Sequence, residues 1–250
     1  MLKILPCYTA FKLVLTSSLF LFVLTPLSYS AEIRVGQGIL PPYGIKDSNS
    51  GIEVDIVRAA LAVKGHTVTV RYVPFGRVGK EFEDGKIDAA NTLTASSGVK
   101  ANYSDSHISY QNVATVLKES DLNVTNIEGL GSLKVVAFVK ASIFLGKEFA
   151  EMAKKNTKYR EVADQSTQNK LLMSGRTQAV VGDIRIFKYY NKIIKDQIAL
   201  KEVVFYKIFE PTAYSVGFKD ANIRDDFNVG LKAIRDSGEY DKILAKYVSE

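Results

Sequence analysis

From residue 31 onward, apolar positions switch repeatedly between a strand-like period of two and a helix-like period near 3.6. Glu32 to Val35 reads as a strand ending at Gly36 and Gly38. Leu40-Pro41-Pro42-Tyr43-Gly44 reads as a loop, because two prolines fix the backbone and remove two donors. Ile52, Ile56, Ala59, Ala60 and Val63 predict a helix over Gly51 to Lys64, ended by Gly65. Glu53 and Asp55 fall in its first turn, where the helix dipole favours negative charge. Thr67 to Val73 alternates as a strand stopped by Pro74, and a short helix over Val78 to Glu83 ends at Gly85. Ile87 to Leu93 predicts a strand, Thr94 to Asp105 a polar loop, and Ile108 to Lys118 one long extended run.

A second series repeats this order. Asn126 to Leu133 predicts a short helix or turn, and Lys134 to Val139 a buried strand. Ser142 to Lys155 predicts one amphipathic helix with Phe144, Leu145, Phe149 and Met152 on a single face. Strands over Tyr159 to Ala163 and Gln178 to Val181 alternate with helices over Ser166 to Ser174 and Ile184 to Ile194. Ile198 to Phe209 is mostly extended; a strand over Thr212 to Phe218 precedes helices over Ile223 to Asp236 and Tyr240 to Val248. Such alternation predicts an α/β fold with largely parallel sheets covered on both faces. Phe82-Glu83-Asp84-Gly85-Lys86-Ile87-Asp88-Ala89-Ala90 echoes Leu172-Met173-Ser174-Gly175-Arg176-Thr177-Gln178-Ala179-Val180, which predicts two similar lobes.

The first 30 residues differ from the rest. Lys3 and Lys12 give a basic start, an apolar run extends from Leu13 to Leu27, and Ser28 and Ser30 are small. This layout predicts a secretory signal peptide over 1–30, cut between Ser30 and Ala31. The run falls short of the roughly 20 apolar residues that span a bilayer. Cleavage removes Cys7, the one cysteine of the chain, leaving no disulfide, cysteine metal site or cysteine nucleophile. It also lowers the net charge from +6 to +4. Basic residues alternate with acidic ones, as at Lys147-Glu148, which excludes the clustered basic surface that nucleic acid requires.

Several local pieces, in their order, resemble the family 3 periplasmic solute-binding proteins, typified by amino-acid-binding components of ABC importers. They are Pro41-Pro42-Tyr43, Gly51-Ile52-Glu53-Val54-Asp55-Ile56, Gly85-Lys86-Ile87-Asp88, Ser104-Asp105, Val180-Val181-Gly182-Asp183, and Ser237-Gly238-Glu239-Tyr240 with Lys246-Tyr247. The resemblance implies a two-lobed periplasmic binding protein fold of type II. Each lobe would be a mostly parallel sheet flanked by helices. Lobe 1 would take 31–117 plus 212–250 and lobe 2 would take 118–211, with crossings near Val116 to Ser120 and near Phe209 to Thr212. A small polar ligand would lie between the lobes and hold them closed.

The resemblance also suggests ligand-binding residues. Tyr43 and Phe75 match aromatic positions of the family site. Asp183 matches the acid that takes the ligand's amino group in amino-acid-binding relatives. It also reads as an N-cap for the helix from Ile184. Ser142 stands where a strand meets a helix start, so its hydroxyl and free backbone donors suit a carboxylate or a cap. Glu53 is expected to decorate its helix start rather than meet ligand. The family's carboxylate-gripping arginine is missing from Thr94-Ala95-Ser96-Ser97-Gly98-Val99-Lys100. Counting back from Ser104-Asp105 puts Ser97 at its place, counting forward from Asp88 puts Lys100 there, and Arg77 is a third candidate. A lysine supplies a point charge without the planar fork, so a small amine or acid other than a standard α-amino acid stays open.

A monomeric periplasmic binding protein is therefore expected, without cofactor or metal, whose partner is a membrane permease complex or a membrane receptor. An enzyme is the competing class, because a few proteins of this fold are periplasmic dehydratases. Neither His66 nor His107 has an evident catalytic partner in the sequence.

Overall fold

The computed structural model describes residues 30–247. The expected leader, with Cys7, lies outside the described residues apart from Ser30. Among the described residues no helix is long and apolar enough to cross a membrane.

The elements follow in the order β1 (Glu32–Gly38), α1 (Ile52–Ala62), β2 (Thr67–Val73), α2 (Val78–Glu83), β3 (Ala89–Leu93), β4 (Asn102–Tyr103), β5 (Ile108–Tyr110) and β6 (Asn112–Leu117). They continue with β7 (Val135–Phe138), α3 (Ala141–Phe144), α4 (Gly146–Lys155), β8 (Arg160–Val162), α5 (Gln165–Met173), β9 (Ala179–Asp183) and α6 (Ile184–Ile194). The chain closes with β10 (Val203–Tyr206), β11 (Thr212–Phe218), α7 (Ala221–Asp236) and α8 (Glu239–Tyr247).

Two sheets result. The first runs β2-β1-β3-β11-β4, with β5 also paired to β11; the second runs β10-β6-β9-β7-β8. In the first, β2, β1 and β3 are parallel and β11 joins antiparallel. In the second, β8, β7 and β9 are parallel and β6 joins antiparallel. The sequence echo corresponds to this shared construction. Gly85 and Gly175 both turn the chain in the left-handed region, at φ 75° and 68°. Asp88 and Gln178 then each accept a backbone N–H at 3.0 Å, from Arg34 beside β3 and from Lys134 beside β9.

The extended run from Ile108 to Lys118 is not one strand. β5 pairs with β11 of the first sheet, whereas β6 pairs with β9 and β10 of the second. The chain therefore crosses between sheets at Gln111, and 112–117 lie in the second sheet rather than the first. The alternation of β5 breaks at the adjacent polar residues Gln111 and Asn112, and β6 is buried along its whole length, so the change of sheet coincides with a change of pattern inside one extended run. The helix expected over Ser142 to Lys155 is also two helices, separated where Gly146 adopts φ 88°. Phe149 and Met152 remain in the core of the second lobe, but Phe144 turns out and packs on Phe75, with ring centroids 5.7 Å apart.

In the first lobe α1 and α7 pack closely. A Cβ on Gly230 would stand 1.9 Å from the Ala60 carbonyl oxygen, so only glycine permits this approach. The C-terminal helix is held on the start of α1. Tyr247 donates to Asp55 Oδ2 at 2.6 Å and accepts the Gly51 N–H at 3.0 Å, while Lys246 pairs with the same carboxylate at 2.8 Å.

Candidate ligand-binding cleft

The C-terminal ends of both parallel trios face the gap between the sheets. An inner chamber of about 30 Å³ lies between Phe75, Tyr110 and Tyr214 on one side and Asn112, Gln165 and Asp183 on the other. It adjoins an outer cleft of about 410 Å³ walled by Leu40, Pro74 and Phe75 against Phe138, Lys140 and Tyr190. The inner chamber has room on the order of one water molecule; the outer cleft is in the size range of small-molecule sites.

Asp183 ends β9 and is 3% exposed. Its Oδ1 caps α6 by accepting the N–H groups of Arg185 and Ile186, at 2.9 and 3.1 Å. The same oxygen accepts the Tyr43 hydroxyl at 3.0 Å, and Oδ2 accepts the Gln111 N–H at 2.9 Å. The cap expected of Asp183 is therefore present, and the same side chain lines the inner chamber. Burial pushes its carboxyl above the ordinary aspartate value, against the opposing pull of the Ile186 N–H, the Tyr43 hydroxyl and the Arg185 charge.

Tyr43 is fully buried, stacked on Tyr110 with centroids 3.7 Å apart and planes at 15°. Its loop is fixed by Gly51, where a Cβ would meet the Tyr43 carbonyl oxygen at 2.3 Å and φ is 135°. Burial raises the Tyr43 phenol well above its usual value, and the Asp183 charge adds to this. Arg185 reaches back across the gap, donating to the Tyr43 hydroxyl at 3.3 Å and to the Ser109 carbonyl at 3.2 Å.

Ser142 does meet a carboxylate, but it belongs to the chain itself. Glu161, on β8, accepts the Ser142 N–H at 3.0 Å and the Ser142 hydroxyl at 2.7 Å. It also accepts the Lys140 N–H at 2.6 Å and the Tyr159 hydroxyl at 2.9 Å. Partial burial works against the Glu161 charge, yet these donors outweigh it and hold the carboxyl below its usual range.

A family model described as bacterial extracellular solute-binding proteins, family 3, matches residues 33–250. This chain belongs to that family. The arginine-binding periplasmic protein of Mannheimia haemolytica is 23% identical over 242 residues, covering 91% of this chain and 95% of that protein. Among solved structures, a histidine kinase sensor domain similar to periplasmic binding proteins superposes with a TM-score of 0.73 at 19% identity, covering 87% of this chain and 96% of that one. An ancestral amino-acid-binding protein, a precursor of cyclohexadienyl dehydratase, gives 0.68 at 22% identity over 87% and 96%. The fold is the type II periplasmic binding protein fold, two sheet-based lobes flanked by helices and joined by crossing segments. As a family 3 member this is a periplasmic solute-binding protein, of a kind that takes small-molecule ligands and works with membrane transporters or sensor receptors.

The remaining expected site residues of this family 3 protein are not gathered at the cleft. Ser97 closes a turn on itself: its hydroxyl donates to the Thr94 carbonyl and accepts the Thr94 N–H. Lys100 lines a separate depression with Phe82, Asn102 and Lys219. Arg77 is exposed at the start of α2 and does not line the cleft.

Glu53 is not a surface decoration. It is fully buried and accepts from Gln37 Nε2 (3.2 Å), Thr92 Oγ1 (2.7 Å), His107 Nε2 (3.0 Å) and the Tyr110 hydroxyl (3.0 Å). Thr92 adopts φ 60°, strained for a β-branched residue, at a register shift between β3 and β11. Both histidines have carboxylate partners: His107 has Glu53, and His66 has Asp226 at 3.1 Å. Gln111 was missed by sequence reasoning. Its side-chain amide donates to the Asn112 and Phe209 carbonyls, at 2.9 Å each, tying the two crossings together. The available signal was the adjacent polar pair Gln111-Asn112, which interrupts the alternation of the run.

Proposed function

We propose that this protein captures a small amine-bearing solute between its lobes, with the ligand's ammonium on Asp183, and delivers it to a membrane permease complex. The observation that carries this reading is Asp183: a buried carboxylate is costly without a cation in contact, its hydrogen-bond partners are neutral donors, and the nearby Arg185 guanidinium is turned to Tyr43 and Ser109 instead. Phe75, Tyr110 and Tyr214 supply aromatic walls, with Tyr43 stacked behind Tyr110. The lobes are taken as 31–110 with 212–247, and 112–210, turning about Gln111 and the segment at 209–211. The protein works as a processed monomer, cut between Ser30 and Ala31; Ala31 donates its N–H to His66 Nδ1 at 3.1 Å, so the new terminus would start on ordered structure.

The cleft binds without turnover in this reading. His66 and His107 lie outside the cleft, each engaged with a carboxylate. A membrane receptor in place of a permease uses the same closure, and neighbouring genes for a permease and an ATPase separate the two.

A thermal-shift panel of amino acids, amines, polyamines and organic acids tests the proposal. A ligand at a hundred times its Kd adds about 2.7 kcal/mol, or about 5–10 °C for a chain of this size. Asp183→Ala should abolish the shift for amines; an unchanged shift removes Asp183 from the site. Product formed from any bound acid would replace binding by catalysis.

A further inference from the structure

We infer that the cleft is built for a bipolar chain: a primary ammonium enters the inner chamber, and a carboxylate at the far end of an apolar linker is held by the Lys140 ammonium at the outer mouth. This rests on Asp183 as the ammonium site and adds the second charge of the ligand and its separation from the first.

Among the described residues, Asp183 is the one charged residue lining the inner chamber, and Lys140 is the one charged residue lining the outer cleft. The wall between them is apolar, since Leu40, Phe75 and Phe138 border both spaces. A negative end, a hydrocarbon wall and a positive end complement a chain that carries opposite charges at its two termini.

The inner end suits an ammonium in size and in hydrogen bonding. Its room of about 30 Å³ is on the order of one water-sized group, so the rest of the ligand extends into the outer cleft. A primary ammonium has three N–H donors, and side-chain oxygens of Asp183, Asn112 and Gln165 line the chamber. Asn112 stands opposite Asp183 in the register of β6 on β9 and is 5% exposed. Neither its side-chain amide nor that of Gln165 has a hydrogen-bond partner among the described residues. A buried amide left without a partner is costly, and a ligand N–H on each oxygen relieves that cost.

The outer end is a cation without a carboxylate. Lys140 belongs to the second lobe, yet its ammonium reaches the first lobe at Gly76, with Nζ 3.5 Å and Cε 3.8 Å from where a Cβ would stand. No acidic side chain pairs with it among the described residues, whereas Lys80, Lys118, Lys201, Lys232 and Lys246 each have one. A ligand carboxylate beside Lys140 would therefore meet an unpaired charge at the point where the two lobes approach each other.

Calorimetry on the processed protein tests this with isomers that share atoms and charges and differ only in charge separation: δ-aminovalerate against norvaline, and ε-aminocaproate against norleucine. A hydrogen bond to a charged group is worth about tenfold or more in affinity. The wild type should prefer each ω-isomer, and should prefer δ-aminovalerate over pentylamine, by about that factor. Lys140→Met should erase the advantage over pentylamine while leaving pentylamine itself unchanged, and Lys140→Glu should turn the preference toward cadaverine. A wild type that prefers the α-isomers, or a Lys140→Met variant that binds δ-aminovalerate as before, overturns the inference. If pentylamine or norvaline binds in an Asp183-dependent way and the ω-isomers bind no better, the inference fails and capture on Asp183 survives. If no amine in the wider panel binds, both fail. The wild-type isomer ratio decides the ligand class without any variant.

Discussion

The Tyr43 hydroxyl donates to the Asp183 carboxylate at 3.0 Å, joining a loop of the first lobe to the last residue of β9 in the second. A ligand ammonium approaching Asp183 therefore competes with a phenol already in place. Tyr43→Phe keeps the stack on Tyr110 and removes the donor. Hydrogen bonds to charged groups contribute about 1.5–3 kcal/mol, so the ligand-free variant should unfold at lower urea and scatter as a more open particle. Unchanged small-angle scattering and an unchanged urea midpoint would contradict a role in holding the lobes together.

Asp183 predicts a pH dependence with a defined sign. Burial raises its pKa in the folded protein. Its ionisation therefore works against the ligand-free fold as pH rises through the raised value. Amine binding needs the charged form, so affinity should fall with decreasing pH before the ordinary aspartate range near 4 is reached. Asp183→Asn, which still caps a helix but turns an amide donor toward the Gln111 N–H, should lower the melting temperature while removing amine binding and its pH slope. A titration calorimetry series across acidic to neutral pH checks both.

Glu53 has the largest expected effect on stability. Its removal leaves Gln37, Thr92, His107 and Tyr110 with buried groups lacking their acceptor. Truncating one member of a buried charged network costs about 3–5 kcal/mol. Glu53→Ala should lower the urea-derived stability by that order, and Glu53→Gln by less.

Gly230→Ala tests the contact between α1 and α7. The added methyl would overlap the Ala60 carbonyl oxygen, and overpacking of this kind costs about 1–3 kcal/mol. Chemical denaturation should show the loss with ligand affinity retained, since neither helix lines the cleft.

The Glu161 carboxyl is held below its usual value. A depressed folded pKa supplies stability that is present above the unfolded value, near 4.3, and is lost as pH falls through the folded one. Glu161→Gln should therefore show a shallower loss of stability below about pH 4 than the wild type. Parallel acid limbs for the two proteins would remove Glu161 from that transition.

Much of this fold was legible because its signals are local. Thr67 to Val73, Val78 to Glu83, Ile184 to Ile194 and Thr212 to Phe218 are bounded as their periodicity and flanking residues predict. What could not be read is pairing between distant segments. Nothing in Ile108 to Leu117 tells which sheet each strand joins, and nothing near Ser142 announces that Glu161 on a neighbouring strand will fill its donors. Glu53 looks like an ordinary first-turn acid until β3, β5 and His107 close around it. The resemblance singles out Tyr43 and Asp183 separately, but the bond between them depends on a separation of 140 positions that only the tertiary fold closes.

Gln111 joins these observations. Its amide hydrogen rests on the Asp183 carboxylate, its carbonyl accepts from Ile184, and its side chain grips the other strand of the doorway at Phe209. A change of charge at Asp183 is therefore felt at the crossing between the sheets itself, one hydrogen bond away, instead of travelling through a packed interior. Under the proposed capture at Asp183, recognition and the crossing share a single peptide, so a membrane partner sensing the angle between the halves would be reading the state of that carboxylate almost directly.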